Sequence, residues 1–217
     1  MMRLYVDSAD RTAIHRALAT GYAVGVTTNP TLLRRARLRW TDLPALVRAA
    51  EEAGAGEIHL QVLAPTADGM VSDGEWLHGL DPARVLVKVP ASSEGFAAGA
   101  RLASQRMGVT VTAAYAVRQV VLAESIGARY VAVYLGRMRD AGLQAMTVIE
   151  EMLAVMRVQQ MHARLLVASV RTPEDVEALA SLGVPCATLP PELFLALPHV
   201  AETAEAIRAF EEDARGL

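Results

Sequence analysis

The sequence predicts a single (β/α)8 barrel (a TIM barrel) with an additional C-terminal helix, spanning residues 1–217 as one domain. Short apolar segments alternate with helical ones eight times, no low-complexity segment or linker divides the 217 residues, and a polar side chain ends each of the first seven strands. An open, doubly wound sheet is the alternative. Such a sheet usually needs a glycine-rich first βα turn, and Asp7-Ser-Ala-Asp10 is not one.

The eight strands are predicted from short runs of apolar, largely β-branched residues. In chain order they are Leu4–Asp7, Ala23–Thr28, Ile58–Leu63, Val85–Val89, Val109–Thr112, Tyr130–Tyr134, Arg164–Ala168 and Ala187–Leu189. The turn signal Asn29-Pro30 closes the second strand.

Helical segments follow these strands. The first is predicted over Ala9–Thr20, and two further pieces surround Trp40. The others are predicted from about Thr66, from Ser92 through Gln105, up to Ile126, over Leu143–Gln160, from Thr172, over Pro191–Leu197 and over Val200–Arg215. Thr172-Pro173-Glu174 carries the clearest start signal, an N-cap residue followed by a proline in the first turn.

The composition indicates a globular protein of the cytoplasm. A net charge of −3 without a basic stripe argues against a nucleic-acid partner. No apolar run approaches the roughly 18 residues needed to cross a bilayer, and the first residues contain no apolar signal-peptide region. The single cysteine, Cys186, excludes an intrachain disulfide and fits a reducing compartment. The lack of a Cys/His cluster at ligand spacing argues against a zinc site.

Lys88 is the only lysine among the 21 Lys and Arg residues. It interrupts Val85-Leu-Val-Lys-Val-Pro90, which has the pattern of a fully buried strand. An arginine stays protonated, whereas a buried lysine amine can lose its proton, with a pKa of roughly 7–8 near other cations, and form a Schiff base with a carbonyl. A structural lysine paired with a carboxylate is the alternative, and position alone favours neither.

Polar side chains end seven consecutive strands around this lysine. They are Asp7, Thr27 with Asn29, Gln61, Lys88, Thr112, Tyr134 with Arg137, and Ser169 with Arg171. A lone Asp at a strand end is more often a helix cap, and a lone Gln or Thr is nearly always structural. In a barrel, however, the carboxyl ends of the strands meet at one face, so these groups together predict a site that surrounds one carbonyl substrate.

Five segments at these positions resemble the small transaldolase family, which includes fructose-6-phosphate aldolase. They are Leu4-Tyr-Val-Asp7, Gly25-Val-Thr-Thr-Asn-Pro30, Val87-Lys-Val-Pro90 with Glu94-Gly95, Tyr134-Leu-Gly-Arg137 and Ala168-Ser-Val-Arg-Thr-Pro173. The similarity covers essentially the whole chain. It implies a barrel enzyme that needs no metal or other cofactor, and a homo-oligomer of ring type, a pentamer or a decamer.

The resemblance also implies roles for individual residues. Lys88 corresponds to the Schiff-base nucleophile. By the same correspondence Asp7, Thr27 and Asn29 line the dihydroxyacetone end of a sugar-phosphate substrate, Gln61, Thr112 and Tyr134 hold a proton-shuttling water, and Arg137, Ser169 and Arg171 bind the phosphate.

Two positions separate the activities of the family. Its transaldolases usually carry glutamate and phenylalanine where this chain has Gln61 and Tyr134, whereas its fructose-6-phosphate aldolases carry glutamine and tyrosine. The resemblance therefore favours an aldolase, with a transaldolase as the alternative and a non-catalytic sugar-phosphate-binding barrel as the alternative from another class. Departures from the family pattern at Thr110 and Arg139 leave the substrate preference open, so that the substrate could be another ketose phosphate or an unphosphorylated donor.

Three further features are expected to have structural roles. His59 is expected in the core or between barrel and helices, and Trp40 and Trp76 are expected to pack rather than to stack on a sugar. The C-terminal helix resembles one that family members exchange between subunits, and a monomer could equally fold it against its own barrel.

Overall fold

The computed structural model describes residues 1–216 and contains a closed barrel of eight parallel strands in sequence order. The strands are β1 Arg3–Asp7, β2 Ala23–Thr27, β3 Glu57–Gln61, β4 Val85–Pro90, β5 Val109–Ala114, β6 Tyr130–Tyr134, β7 Arg164–Ala168 and β8 Cys186–Leu189. Pairing of β1 with both β2 and β8 closes the sheet. The predicted (β/α)8 barrel is therefore confirmed.

Helices follow the strands and cover the outside of the barrel. They are α1 Arg11–Leu18, α2 Pro30–Arg35, α3 Leu43–Glu52, α4 Ala67–Leu80, α5 Ser93–Ser104, α6 Val117–Ser125, α7 Leu135–Asp140, α8 Ala145–Val158, α9 Pro173–Ser181, α10 Pro191–Ala196 and α11 Ala201–Ala214, and a 3-10 turn at Trp40–Asp42 precedes α3. Thr172 is the N-cap of α9, where its hydroxyl accepts from the Asp175 amide, as the start signal predicted.

Helix α7 was not predicted. Its six residues are too few to show a helical period, and it begins directly after β6. A contact with the next βα loop holds it: the Gly136 amide donates to the Ser169 carbonyl at 3.0 Å. Strand β5 also runs two residues further than predicted, because its register to β6 shifts between Val111 and Ala114.

Two apolar layers make the core. One lies between the barrel and its helices, and a smaller one fills the barrel interior around Leu86, Ala132 and Leu166. Each fully buried aliphatic side chain in these layers contributes about 1.5–3 kcal/mol to folding. The closed core leaves the strand ends as the place where polar groups can meet.

Side-chain alternation decides which residues reach the carboxyl end of the barrel. Side chains two apart on a strand share a face, so Tyr5 and Asp7 point to the interior, as do His59 and Gln61. His59 is fully buried and packs edge-on against the rings of Tyr5 and Tyr130, which places it inside the barrel.

Two features of the outer surface are the tryptophan pair and the C-terminal helix. Trp40 and Trp76 stack on each other with ring centroids 4.9 Å apart, which confirms their packing role. All residues of α11 are exposed, including Ile207 and Phe210, so this helix does not fold against its own barrel. Within residues 1–216, no helix combines the length and the apolar character needed to cross a membrane.

Candidate active site

Two adjoining clefts open at the carboxyl ends of the strands. The larger, of about 380 Å³, and the smaller, of about 210 Å³, share Asn29, Thr31, Tyr134 and Arg137 as lining residues. The residues predicted for the site divide between them. Asp7, Ser169 and Arg171 line only the larger cleft, and Gln61 and Thr112 line only the smaller one.

Lys88 lies buried at the end of β4, with 3% of its surface exposed. Its Nζ donates to the Thr28 carbonyl at 2.9 Å, and it lines neither cleft. Burial lowers the pKa of Lys88, the charge of Asp7 opposes that shift, and the charge of Arg137 reinforces it. The amine therefore loses its proton more readily than an exposed lysine.

Asp7 is held by a chain of hydroxyl groups. Thr27 Oγ1 donates to Asp7 Oδ1 at 2.6 Å and lies 2.6 Å from Thr188 Oγ1. Because the proton of Thr27 goes to Asp7, Thr188 is the donor in the second bond. Burial raises the pKa of Asp7, and Lys88, Thr27 and Arg137 act against that rise. Asp7 caps no helix, since the N-cap of α1 is Asp10.

Tyr134 presents a hydroxyl to the smaller cleft. Its Oη lies 2.9 Å from Thr112 Oγ1, and the guanidinium of Arg137 sits over its ring, 4.6 Å from the centroid. Burial raises the pKa of Tyr134, with Thr112 and Arg137 acting in the opposite direction. At neutral pH the phenol is protonated and can serve as a proton donor.

Two ion pairs join α7 to the loop after β7 and to the first turn of α9. Asp140 accepts from both Nη atoms of Arg171, one at 2.8 Å. Asp175, which is buried, accepts from Arg139 at 2.6 Å and from the Arg171 amide at 3.1 Å. Together they fix Arg171 at the rim of the larger cleft, two residues after Ser169.

Backbone strain marks the end of β5 and the loop after β7. The backbone φ angle is +59° at Ala113 and +58° at Ser169. This left-handed conformation is unfavourable for residues with a Cβ, and it concentrates at functional sites because the surrounding structure must hold it. Ala113 follows Thr112, and Ser169 is itself a predicted site residue. The other three non-glycine residues of the described chain with a positive φ, Arg37, Arg106 and Gln160, follow helix ends and line neither cleft.

Comparison with known proteins assigns the family. A sequence model described as "Transaldolase/Fructose-6-phosphate aldolase" matches residues 4–216. A "Probable transaldolase" of Phenylobacterium zucineum is 31% identical over 212 residues, covering 98% of this chain and 96% of that protein. Another "Probable transaldolase", of Thermus thermophilus, is 33% identical over 218 residues, covering 98% and 97%. The chain belongs to the transaldolase/fructose-6-phosphate aldolase family.

Similarity to solved structures extends to the barrel alone. A flavocytochrome b2 variant with sulfite bound has a TM-score of 0.63 at 14% sequence identity, over 90% of this chain and 58% of that one. The family member therefore spans well under two thirds of the matched structure, and at this identity the likeness concerns the fold.

The geometry of this family member brings all ten predicted site residues to one end of the barrel. Eight of them line the clefts: Asp7, Asn29, Gln61, Thr112, Tyr134, Arg137, Ser169 and Arg171. Lys88 and Thr27 are buried below, where Thr27 is hydrogen-bonded to Asp7. Asn29 has a second role as the N-cap of α2, where its side chain accepts from the Leu32 amide. A buried amine, a protonated phenol and arginines in adjoining clefts suit imine chemistry on a phosphorylated carbonyl compound.

Sequence reasoning missed three residues of the site. Thr188 is the penultimate residue of β8 and faces Thr27, and the alternation of β8 would have indicated it. Asp140 and Arg35 line the larger cleft from α7 and α2, and neither lies at a strand end, so no sequence signal distinguished them. Among residues 1–216, no group of three or more His, Cys, Asp or Glu side chains is placed to hold a metal ion.

Proposed function

We propose that this chain is a class I aldolase of one domain that cleaves fructose 6-phosphate reversibly to dihydroxyacetone and glyceraldehyde 3-phosphate. The observation that carries the proposal is the Tyr134 hydroxyl, bonded to Thr112 in a cleft that Gln61 also lines. An aldolase must protonate its enamine and hydrolyse the imine, and both steps need a proton donor and a positioned water.

In the proposed mechanism, the unprotonated Lys88 amine attacks C2 of the ketose. The carbinolamine loses water to give the imine, with Tyr134 protonating the departing hydroxyl. The protonated imine accepts the electron pair of the C3–C4 bond as it breaks, while the C4 hydroxyl loses its proton to a base for which Asp7 is the candidate. Glyceraldehyde 3-phosphate leaves, and an enamine of dihydroxyacetone stays on Lys88.

The second half of the cycle distinguishes an aldolase from a transaldolase. Tyr134, directly or through a water held with Gln61 and Thr112, returns a proton to C3 of the enamine. Water then adds to the imine carbon, and the C–N bond breaks to release dihydroxyacetone and the free amine. Arg137, Ser169 and Arg171 hold the phosphate during cleavage, since guanidinium groups and a hydroxyl match its oxygens.

Transaldolase activity is the second candidate, and the names of the two relatives favour it. Both are described as probable transaldolases at 31% and 33% identity. In that reaction the enamine carbon attacks the aldehyde of an acceptor such as erythrose 4-phosphate, and dihydroxyacetone is never set free. Gln61 and Tyr134 favour the aldolase because the resemblance associates this pair with it.

One assay separates the two candidates. The protein is incubated with fructose 6-phosphate alone, and glyceraldehyde 3-phosphate is measured over many turnovers. Sustained release identifies an aldolase. Release only after erythrose 4-phosphate is added identifies a transaldolase, and binding of fructose 6-phosphate without either product leaves the non-catalytic barrel.

The Schiff base has a test of its own. Borohydride added with dihydroxyacetone should attach one adduct per chain, at Lys88, because reduction turns an imine into a stable secondary amine. The only competing amine is the N-terminus, which a peptide map separates. Lys88→Arg keeps a positive charge but forms no imine, so it should lose both adduct and turnover, and turnover by this variant would contradict the mechanism.

We also propose a homo-oligomer, working in a reducing compartment such as the cytoplasm. Helix α11 exposes Ile207 and Phe210 by 49% and 68%, and Cys186 is buried and unpaired. Exposed apolar side chains of this size on one helix are typical of a surface that a partner covers. Light scattering should give a mass well above that of one chain, and Phe210→Glu should lower it; a parent protein of monomer mass would contradict the proposal.

A further inference from the structure

Arg35 places a third guanidinium at the larger cleft. It is the last residue of α2 and lines the cleft together with Arg137 and Arg171. The helix is fixed at its start by the Asn29 cap and in its middle by Leu33, which is 8% exposed. Arg35 is therefore carried on an anchored element and is exposed on the cleft side.

The three arginines differ in what neutralises them. Arg171 is engaged at both Nη atoms by Asp140, so much of its charge is already balanced. Arg137 stacks on Tyr134, which leaves its charge available. Arg35 forms no ion pair with any carboxylate of residues 1–216. Its charge is thus free for a ligand.

A charge count shows why a third arginine matters. A phosphate monoester carries roughly 1.5–2 negative charges at neutral pH. With Asp140 offsetting Arg171, and Asp7 facing Lys88, Arg137 alone supplies one positive charge to the larger cleft. Arg35 supplies a second, which brings the cleft close to the charge of the dianion.

We propose that Arg35 binds the phosphate of the sugar-phosphate substrate and sets the preference of this chain for phosphorylated over unphosphorylated ketoses. The inference rests on the proposed function, and it adds a residue that lies outside the strand ends. It answers the open question of substrate preference, because a cleft with two uncompensated guanidinium groups is poorly matched to a neutral sugar.

Alternatively, Arg35 could serve only to stabilise the C-terminal end of its own helix. Cations in a last helical turn interact favourably with the helix dipole, whatever their distance from a ligand. Arg34 shares this position and is exposed too, but it does not line the cleft. Arg34→Ala is therefore a matched control that removes the same charge from the same turn.

The kinetic experiment compares Arg35→Ala, Arg34→Ala and Arg35→Lys with the parent on fructose 6-phosphate and on fructose. We expect Arg35→Ala to raise KM for fructose 6-phosphate about tenfold or more, with kcat within about twofold, as for loss of one charge-assisted hydrogen bond. Turnover of fructose should fall far less than turnover of fructose 6-phosphate in Arg35→Ala, Arg34→Ala should match the parent, and Arg35→Lys should recover part of the loss.

A binding experiment keeps this test separate from the proposed chemistry. Glucitol 6-phosphate has no carbonyl and cannot form an imine, so calorimetric titration measures the phosphate contact alone, with glucitol as the unphosphorylated reference. We expect the parent to bind glucitol 6-phosphate more tightly than glucitol, and Arg35→Ala to reduce that difference about tenfold or more. If the parent fails to cleave fructose 6-phosphate, the proposed function is wrong, but the measured preference for glucitol 6-phosphate over glucitol still tests the role of Arg35.

Three outcomes would overturn the inference. The first is equal affinity of Arg35→Ala and Arg34→Ala for glucitol 6-phosphate. The second is an equal loss for the phosphorylated and unphosphorylated ligands, and the third is a parent protein that does not prefer the phosphorylated one.

Discussion

At the scale of single residues, the protonation of Lys88 depends on three influences that act in different directions. Burial and the charge of Arg137 lower its pKa, whereas the charge of Asp7 raises it. Nucleophilic attack needs the unprotonated amine, so the rate of imine formation should follow this balance. Removing the charge of Asp7 should therefore lower the pKa of Lys88, and removing the charge of Arg137 should raise it.

Asp7→Asn should shift the acid limb of the pH–rate profile for imine formation to lower pH. The substitution keeps an oxygen that accepts from Thr27 but removes the negative charge that stabilises the lysine ammonium, so the pKa of Lys88 falls further. The rate of trapping with dihydroxyacetone and cyanoborohydride, measured from acid to alkaline pH, reports the shift. A limb that stays in place or moves to higher pH would contradict it.

Tyr134→Phe should leave the borohydride adduct at Lys88 detectable but slow the release of dihydroxyacetone. The phenylalanine ring still fits under Arg137 but has no hydroxyl for Thr112, and general acid help is worth roughly 10²–10⁴-fold in rate. Tyr115→Phe is the control, because Tyr115 packs edge-on against Tyr134 without a hydrogen bond to it. Release of dihydroxyacetone at the parent rate in Tyr134→Phe would show that the Tyr134 hydroxyl takes no part in proton transfer.

At the scale of elements, the phosphate end of the site depends on the close approach of α7 and the loop after β7. Gly136 is where they touch: a Cβ added there would lie 2.5 Å from Arg171 Nε and 2.7 Å from the Ser169 carbonyl oxygen. That carbonyl also accepts from the Gly136 amide, so the backbone has little freedom to retreat. A glycine is required here for the space, since φ does not require one.

Gly136→Ala should raise KM for fructose 6-phosphate more than for fructose and lower the free energy of unfolding by about 1–3 kcal/mol, the usual cost of overpacking. Steady-state kinetics and urea unfolding measure the two effects. Gly79→Ala is the control: its added Cβ meets no atom within 4 Å, and as the penultimate residue of α4 it should tolerate alanine, with a gain of at most roughly 0.5–1 kcal/mol. Equal kinetics for the two variants would show that α7 can shift without loss.

At the scale of the whole molecule, the end of the barrel opposite the clefts is closed by a buried carboxylate. Glu57 accepts from Tyr5 at 2.5 Å, from Tyr130 at 2.8 Å and from Arg129 at 2.6 Å. Burial acts to raise the pKa of Glu57, but the nearby His59, the two phenols and Arg129 outweigh it and lower that pKa. This cluster ties strands β1, β3 and β6 together, which predicts sensitivity to acid.

The free energy of unfolding should fall as pH drops from about 6.5 to 4. Burial lowers the pKa of His59 to about 4, with Lys88 contributing and Glu57 opposing. In this window the unfolded chain takes up a proton that the folded protein does not, so the free energy of unfolding increases with pH. At about 1.36 kcal/mol for each unit by which the pKa of His59 is lowered, acidification should cost about 3 kcal/mol. Glu57 adds a further loss below about pH 4.5, since its pKa is lowered on folding.

Urea unfolding of the parent and of His59→Gln at several pH values between 7 and 4 checks this assignment. The variant should lose most of the slope between pH 6.5 and 4.5 whatever its stability at pH 7, because it has no imidazole to titrate. An unchanged slope would place the acid sensitivity elsewhere.

The sequence alone was sufficient for the fold class and for naming ten residues that meet at one end of the barrel. Hydrophobic periodicity is local, so eight strands and most helices could be assigned from it, and the barrel rule then brings their carboxyl ends to one face. Lys88 was evident as the only lysine, in an apolar strand. Element bounds differed by up to two residues, as at β3, because strands end where pairing ends and pairing depends on the neighbouring strand.

Tertiary structure alone decided the charges around the substrate and the surfaces that stay uncovered. Arg35, Asp140 and Arg171 come from segments about 30 to 135 residues apart, and which of these charges are paired depends on distances that no local pattern encodes. Helix α7 forms because the Ser169 carbonyl accepts from it, and α11 is left exposed because nothing in the barrel packs on it. Periodicity shows which side of an element is apolar; only the packed chain shows what lies against it.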